Sequence, residues 1–308
     1  MKQTLTLILF LLFSVNSLLA QERKEEPEDI VKIDSELVVI DVSVLDNKNR
    51  FVSTLDKSQF QVFEDGKEQK VELFSKEDVP VSFGLVVDTS GSMRFKLKTV
   101  LEAANKLLDL CKPNDEVFVV DMKDAIRINF LQKYTNNMNE ARAAFGKMYP
   151  NGGTALLDGI AAAGNYAQES SSNRRRAIIV LSDGDERDST IKQERLIELL
   201  RELQIQVYMV GFPEGFIELD GTFLEAATRK SRDLMRKIAD ESGGQAFFPK
   251  SLDEVGEIMT KIGQELRAQY MLGYYPINET KDGRWRKLQV KLNNKKYSVR
   301  TRSGYFAK

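Results

Sequence analysis

The side chains with the clearest chemical potential lie in residues 88–92, where a carboxylate and two hydroxyls alternate along the chain. Asp88 is followed by Ser90 and Ser92, and Gly91 between the serines lets the backbone bend sharply, so that both hydroxyls can turn toward the carboxylate. A carboxylate, hydroxyls and water are the ligands that Mg²⁺ prefers, and a small ion that keeps several waters needs few protein groups. The spacing therefore predicts a site for a hard divalent cation.

Two other interpretations of residues 88–92 remain open at this point. Ser90 can N-cap a helix that begins near Phe95 while Asp88 caps a turn, an arrangement that involves no ligand. An aspartate after a first parallel strand also suits the nucleophile of a Mg²⁺-dependent phosphoryl-transfer or hydrolytic enzyme. Against that enzyme, position 90 is a serine where an acid/base aspartate is expected, and the sequence has no glycine-rich phosphate loop with a following lysine.

Two later segments carry compatible oxygen ligands in a consistent order. Thr154 ends the segment NGGT at residues 151–154, and Asp183 lies in SDG, directly after an apolar run at residues 177–181. Each has a simpler interpretation: Thr154 can N-cap a helix that starts at Ala155, and Asp183 can be an ordinary turn residue. The acidic residues 185, 186 and 188 that follow are predicted to be solvated loop residues rather than ligands.

The elements that must position these side chains alternate regularly between strand and helix. Residues 83–87 form a near-continuous apolar run that Asp88 closes, which is typical of a central parallel strand covered on both faces. The predicted strands are 83–88, 116–121, 126–130, 177–181, 206–211 and 245–248, and the predicted helices are 95–110, 139–148, 155–168, 191–203, 232–241 and 252–268. This order predicts a doubly wound, mainly parallel α/β fold, in which ligands bind beyond the carboxyl ends of the strands.

Five positions together resemble the metal-ion-dependent adhesion site of von Willebrand factor type A domains, over residues 79–268. They are Asp88, Ser90, Ser92, Thr154 and Asp183, each at the strand end, loop or helix start where that family has its site residue. The resemblance implies a Rossmann-like fold with Mg²⁺, or Mn²⁺, at the top of the sheet. It also implies that the two serines and the threonine touch the ion directly, while the two aspartates act largely through water.

Short strands flank this region on both sides. An alternating segment at residues 37–45 and a hairpin around Asp65-Gly66 precede it, and strands at 270–275, 287–292 and 297–301 follow it. Residues 34–78 alone are too few for a stable sheet layer, so we expect them to pack with residues 269–308 in one β-sandwich-like module. The order of these segments is similar to that of the VWFA-related family described from Acidobacteria.

Composition and the first residues indicate an exported globular protein. The chain of 308 residues is 42% hydrophobic and 30% charged. Residues 1–20 have the basic start, the apolar core and the small-residue end of a signal peptide, and residues 21–33 have the composition of a charged linker. No other segment has the length of apolar sequence that a membrane span requires. The protein is therefore predicted to be periplasmic or secreted.

Charge and residue usage exclude several classes of partner and catalyst. A net charge of −1 argues against a nucleic-acid partner, and the basic residues 174–176 are predicted to be a solvated loop. The absence of histidine from the sequence removes the commonest general base and zinc ligand. Cys111, the single cysteine, continues a helical apolar pattern and is predicted to be an inert buried thiol.

The sequence therefore favours a non-enzymatic, metal-dependent binding or adhesion module. With neutral hydroxyls as direct ligands, the ion keeps much of its positive field and can accept a Glu or Asp carboxylate from a protein partner. The alternatives are the Mg²⁺-dependent enzyme that uses Asp88 and, less favoured, a structural module whose site stays empty.

Overall fold

The computed structural model describes residues 36–48, 50–212, 222–251, 254–294 and 296–308, and of residues 222–228 it describes the backbone alone. The predicted signal peptide, residues 1–20, and the predicted linker, residues 21–33, lie outside the described residues. Within the described range, residues Glu36–Lys308 belong to one compact unit. Among the described residues no helix combines the length and the apolar character needed to cross a membrane.

A six-stranded sheet forms the centre of the unit. Its strands are β5 (Val81–Asp88), β6 (Glu116–Met122), β7 (Ile128–Thr135), β8 (Arg175–Ser182), β9 (Gln206–Gly211) and β10 (Ala246–Phe247). Their order across the sheet is β10-β9-β8-β5-β6-β7, and all neighbours are parallel except β6 and β7. The order runs outward from β5 in both directions, so the chain crosses over beside β5 and leaves a crevice at the carboxyl ends of β5 and β8.

In the part of the chain that the structure describes, six helices cover the two faces of this sheet. They are α1 (Leu97–Leu108), α2 (Met138–Phe145), α3 (Leu156–Ser170), α4 (Gln193–Leu203), α5 (Thr222–Ser242) and α6 (Glu254–Ala268). Helices α1, α2 and α6 share one apolar core with one face of β5, and α3, α4 and α5 share a second core with the other face. Every residue of β5 is buried, which explains its continuous apolar sequence.

The strands at the two ends of the chain pair with one another. They are β1 (Val38–Leu45), β2 (Phe60–Glu64), β3 (Lys67–Gln69), β4 (Val71–Ser75), β11 (Tyr270–Tyr274), β12 (Trp285–Leu292), β13 (Ser298–Arg300) and β14 (Gly304–Phe306). They form two antiparallel sheets with the orders β13-β1-β11-β4 and β14-β12-β2-β3. In the first sheet Ile40 pairs with Leu272, and in the second Val62 pairs with Val290.

Both small sheets contribute side chains to a third apolar core, which includes Val42, Val62, Tyr270 and Val290. Neither terminal segment forms a complete sheet from its own strands, because β11 lies between β1 and β4 and β12 lies between β2 and β14. The predicted fold class is thus confirmed: a mainly parallel α/β sheet with smaller antiparallel sheets from the flanks.

Several predicted boundaries differ from the structure. The most affected helix is α5, which begins at Thr222, ten residues before its predicted start at residue 232. It ends before Gly243, as predicted, and the φ of this glycine is +82°. Strand β14 was not predicted, because its three residues are too few to show the alternation of apolar and polar side chains that marks a strand.

The basic residues 174–176 are the clearest error of the sequence prediction. Strand β8 begins at Arg175, whose side chain is 1% exposed. Its guanidinium donates to the backbone oxygens of Leu266 (2.9 Å) and Gln269 (3.4 Å) and lies 3.3 Å from the carboxylate of Asp41. Arg175 therefore joins the central sheet to helix α6 and strand β1, and it is not a solvated loop residue.

Candidate functional site

The predicted ligands gather at the carboxyl ends of β5 and β8. Asp88 is the last residue of β5, and Asp183 directly follows β8, its parallel neighbour. Thr154 lies two residues before α3, which packs on the sheet beside them. Three separate segments therefore bring oxygen atoms to one edge, as expected for parallel strands.

Asp88 is fully buried and is held by both of its carboxylate oxygens. Its Oδ1 accepts a hydrogen bond from the backbone nitrogen of Ser90 (2.8 Å), and its Oδ2 accepts one from the hydroxyl of Ser182 (2.6 Å). Ser182 in turn accepts from the nitrogen of Gly184 (3.0 Å). The orientation of Asp88 is thus fixed by the loop after β5 and by the end of β8.

The two serines lie side by side. The hydroxyl oxygens of Ser90 and Ser92 are 3.0 Å apart, with Ser90 only 2% exposed and Ser92 exposed to solvent. Ser90 precedes a short 3-10 turn, Gly91–Met93, and its side chain makes no capping hydrogen bond there. Because α1 starts at Leu97, the interpretation of Ser90 as its N-cap is wrong, whereas the turn contact expected of Asp88 is present.

Backbone hydrogen bonds fasten the Thr154 segment to this turn. The nitrogen of Gly91 donates to the oxygen of Gly152 (3.1 Å), and the nitrogen of Asn151 donates to the oxygen of Thr89 (2.8 Å). Backbone groups do not depend on side-chain rotamers, so this connection is stiff. It places the Thr154 segment beside the serines, although the two are more than 60 residues apart in sequence.

The loop after β8 also positions Thr154. Asp188 accepts a hydrogen bond from the backbone nitrogen of Thr154 (3.0 Å), and the oxygen of Thr154 accepts from the nitrogens of Arg187 and Asp188 (3.1 Å each). Gly153 makes this approach possible, because a methyl group at its Cα would overlap the carboxylate of Asp188. Asp188 is therefore more than a solvated loop residue: it holds a candidate ligand in place.

Helix α3 is capped by the same loop and not by Thr154. The helix starts at Leu156, and its N-cap, Ala155, makes no side-chain hydrogen bond. The nitrogen of Leu157 donates to Glu186 (2.9 Å) and to the hydroxyl of Ser189 (3.0 Å), so these residues satisfy the free N–H group of the first turn. The predicted capping role of Thr154 is thus wrong; Thr154 is 3% exposed.

Asp183 has a cationic neighbour that the sequence did not reveal. The ammonium of Lys96 lies 3.4 Å from Asp183 Oδ2, and the Asp183 side chain is fully buried while that of Lys96 is 12% exposed. The contact crosses from the start of α1 to the end of β8, so no local pattern signals it. Lys96 partly neutralises the negative charge at the site.

The electrostatics of the site disfavour two free carboxylates. Burial, followed by the nearby charge of Asp183, raises the pKa of Asp88 to about 7, although hydrogen bonds from Ser182 and Ser90 lower it. The pKa of Asp88 stays raised although its carboxylate has two hydrogen-bond donors and Lys96 lies beside Asp183, so the protein leaves part of the negative charge uncompensated. A divalent cation would supply the missing positive charge.

These residues fit a hard cation better than a soft one. Among the described residues, no group of three or more Cys, Asp or Glu side chains is placed to hold a metal. An ion at this site would therefore depend on hydroxyls as well as on Asp88 and Asp183. Oxygen atoms alone, with space left for water, are the ligand set of Mg²⁺ or Mn²⁺.

A second buried network of hydrogen bonds lies at the end of β6 and supports the loop that follows β5. The hydroxyl of Thr89 donates to Asp121, whose other carboxylate oxygen lies 2.9 Å from the ammonium of Lys123. The oxygen of Lys123 accepts from the nitrogen of Ala155 (2.6 Å). This network ties the end of β6 to both ligand-bearing loops. The sequence did not predict it, because the three segments that form it are distant in sequence and meet only in the folded structure.

Cys111 does not add a nucleophile to the molecule. Its thiol donates to the oxygen of Leu107 at 3.6 Å, and burial, with the charge of Asp115, raises its pKa to about 12. A thiol with such a pKa is almost entirely protonated at neutral pH. This agrees with the prediction that Cys111 is chemically inert.

Comparisons with known proteins agree with the fold. Inter-alpha-trypsin inhibitor heavy chain H2 of Mesocricetus auratus is 25% identical over 251 residues, which is 77% of this chain and 25% of that protein. A UPF0353 protein of Mycolicibacterium vanbaalenii is 24% identical over 209 residues, 61% of each protein. The chain thus spans about a quarter of the length of the inhibitor heavy chain that it matches.

Solved structures show the same architecture. A von Willebrand factor type A protein from Catenulispora acidiphila superposes with a TM-score of 0.51 at 15% identity, covering 90% of this chain and 64% of that one. At this identity the similarity shows the fold alone.

The sequence profile of the von Willebrand factor type A domain matches residues 84–261, the region that contains all five predicted ligands and more than half of the chain. Together with the architecture described above, this match confirms the resemblance to von Willebrand factor type A domains that was inferred from the sequence. The chain belongs to the von Willebrand factor type A domain family.

Proposed function

We propose that this protein is an exported, metal-dependent binding module that holds Mg²⁺, or Mn²⁺, at the carboxyl end of its central sheet and uses it to bind a Glu or Asp of a protein partner. Membership of the family implies a protein-interaction module at a general level. The proposal adds the ion, its ligands and the chemistry of the partner. Ser90, Ser92 and Thr154 would hold the ion directly, with Asp88 and Asp183 behind them.

The contrast in exposure between the candidate ligands carries this proposal. Asp88, Ser90 and Thr154 are almost completely buried, whereas Ser92 is open to solvent. An ion among these oxygens would therefore be enclosed on the protein side and accessible from one direction only. It would supply a positive charge that attracts an anionic ligand from that direction.

A non-enzymatic role is favoured over the use of Asp88 as a nucleophile. A nucleophile needs a free oxygen that can reach its substrate, but Asp88 is 0% exposed and both of its oxygens accept hydrogen bonds. With no histidine in the sequence, the commonest general base is absent as well. A carboxylate held in this way suits charge compensation better than attack on phosphorus.

The proposal can be tested with Mn²⁺ in place of Mg²⁺, by the relaxation of water protons. Protein-bound Mn²⁺ that keeps exchangeable water should increase the relaxation rate, and added acetate, as a minimal carboxylate, should reduce it by displacing water. Thr154→Ala should weaken Mn²⁺ binding by at least about tenfold, whereas Asp233→Ala, at a 65% exposed side chain of α5 that pairs with Arg236, should not. Equal enhancement in all three proteins would refute the assigned site, and indifference to saturating acetate would refute carboxylate recognition.

A further inference from the structure

Three large apolar side chains border the candidate site and are exposed to solvent. Phe95 is 91% exposed, Ile126 is 95% exposed and Tyr149 is 60% exposed. Single exposed apolar residues are common and need no explanation. These three, however, lie on three different loops, and each loop contacts the residues of the site.

Hydrogen bonds and ring contacts connect the loops. Phe95 directly precedes Lys96, whose ammonium approaches Asp183. Ile126 lies in the turn between β6 and β7, and Lys123, at the start of that turn, accepts the hydrogen bond from Ala155 beside Thr154. The ring of Tyr149 packs against the same lysine, with Lys123 Nζ 4.1 Å from the ring centroid.

A glycine allows the turn of Ile126 and the Thr154 segment to meet. A side chain at Gly152, whose φ is +84°, would overlap the guanidinium of Arg127, the residue that follows Ile126. Gly152 also accepts the backbone hydrogen bond from Gly91. The loop of Phe95, the turn of Ile126 and the segment after Tyr149 therefore form one continuous rim, defined here as residues 91–96, 123–127 and 149–154.

We propose that this rim is a docking surface for a protein segment in which the ion-binding Glu or Asp is flanked by large apolar side chains. The inference rests on the proposed function, which explains the carboxylate, and it specifies that carboxylate's neighbours. Apolar side chains that cover the rim exclude water from around the ion, and the charge-assisted contact is stronger where water is excluded. Tyrosine, as at position 149, is also among the residue types that most often dominate binding energy at protein interfaces.

The charge at the centre of the rim also favours an acidic partner. With the proposed divalent ion bound, the charges of the ion and of Lys96 exceed those of Asp88 and Asp183, so the centre of the rim is positive. The side chains of Phe95, Ile126 and Tyr149 at its edge are neutral. A partner with an isolated carboxylate among polar residues would leave the three apolar side chains in contact with water. An acidic residue within an apolar segment complements both parts of the surface.

Selection from a phage library of random peptides of about twelve residues tests the inference directly. The protein is immobilised with Mg²⁺, and bound phage are eluted with chelator. We expect the eluted peptides to share an acidic residue with a Phe, Leu, Ile, Trp or Tyr within two positions. The triple variant Phe95→Ser/Ile126→Ser/Tyr149→Ser should bind a selected synthetic peptide at least about tenfold more weakly.

Two controls separate the rim from the ion site. The triple variant should bind Mg²⁺ with a Kd within about twofold of the wild-type value, because none of its changes removes a ligand. The variant Tyr275→Ser/Ile277→Ser removes two side chains that are 51% and 65% exposed elsewhere on the surface, and it should bind the peptide as the wild type does. Thermal unfolding of both variants checks that they are folded.

The outcomes distinguish this inference from the function on which it rests. Chelator-eluted acidic peptides without apolar neighbours, or equal peptide binding by the triple variant, would refute the apolar rim and leave the metal-dependent function standing. Peptides retained equally in chelator would refute the metal-dependent function itself. Mg²⁺-dependent self-association that the triple variant abolishes, with no peptide selected, would assign the rim to a second copy of this chain and overturn the proposed partner.

Discussion

Replacing Asp88 by asparagine should make the metal-free protein more stable near pH 8 and abolish its response to Mg²⁺. The asparagine side chain would keep the shape of the aspartate and can still accept from the nitrogen of Ser90, while it removes a charge that is fully buried. A mutation that removes a functional residue and stabilises the fold is unusual, because most substitutions destabilise. The predicted gain in stability follows from the raised pKa of Asp88.

The magnitude follows from linkage between ionisation and folding. The pKa of Asp88 is about 7 in the folded protein, against an ordinary value of 3.8. Because the folded state binds the proton more tightly, the free energy of unfolding falls as the pH rises from below 4 through 7. A difference of about three pKa units corresponds to roughly 4 kcal/mol, of which more than half is lost between pH 5 and pH 8.

Urea unfolding at pH 5 and pH 8, in chelator and in Mg²⁺, measures the effect. In chelator the wild type should lose stability over this range relative to Asp88→Asn, and the absence of histidine from the sequence keeps other titrations in this window few. At a hundred times its Kd, Mg²⁺ should restore about 2.7 kcal/mol to the wild type and nothing to the variant. Asp233→Asn, at an exposed salt bridge with Arg236, should behave as the wild type.

Wild type and Asp88→Asn that respond identically to pH in chelator would refute this reasoning. The buried carboxylate would then be compensated by the protein itself, and the electrostatic argument for a cation would fail.

Three further substitutions test separate parts of the structure. Lys96→Met removes the ammonium beside Asp183, so Mg²⁺ affinity measured by calorimetry should rise by roughly tenfold, and an unchanged affinity would show that Lys96 does not oppose the ion. Gly153→Ala would displace Asp188 from the nitrogen of Thr154, so Mg²⁺ affinity should fall by at least about tenfold while the circular dichroism spectrum is retained. Arg175→Met leaves buried backbone oxygens without a donor, and its free energy of unfolding in urea should fall by about 2–4 kcal/mol; a loss below about 1 kcal/mol would contradict the role assigned to this side chain.

The sequence was sufficient to predict the central sheet and the placement of Asp88 and Asp183 at the ends of neighbouring strands. Strand β5 is covered on both faces, so its apolar run is continuous and its end is marked by Asp88. The carboxyl ends of parallel strands meet at one edge, so Asp88 and Asp183 could be expected to lie close together before any contact was known. Strand β9 was likewise predicted with its observed bounds, because six buried residues carry a clear signal.

What the sequence did not reveal depends on partners that are distant in the chain. In the sequence, Arg175 cannot be distinguished from a solvated arginine. Its buried role depends on a backbone oxygen of α6 and on the carboxylate of Asp41, which only the fold brings to it. Lys96 carries no local sign that it reaches the end of β8. The supporting role of Asp188 requires the fold to bring its loop against Thr154, and an Asp in a polar loop has the same appearance with or without such a contact.

The most direct test of the central claim is isothermal titration of the chelator-treated protein with Mg²⁺ near pH 8, for the wild type and for Asp183→Asn. We expect one saturable site per chain in the wild type and a loss of affinity of at least about tenfold in the variant, because Asp183 supplies buried charge that the ion would compensate. The absence of any saturable Mg²⁺ or Mn²⁺ binding up to millimolar concentrations, or equal binding by both proteins, would contradict a metal site at the ends of β5 and β8.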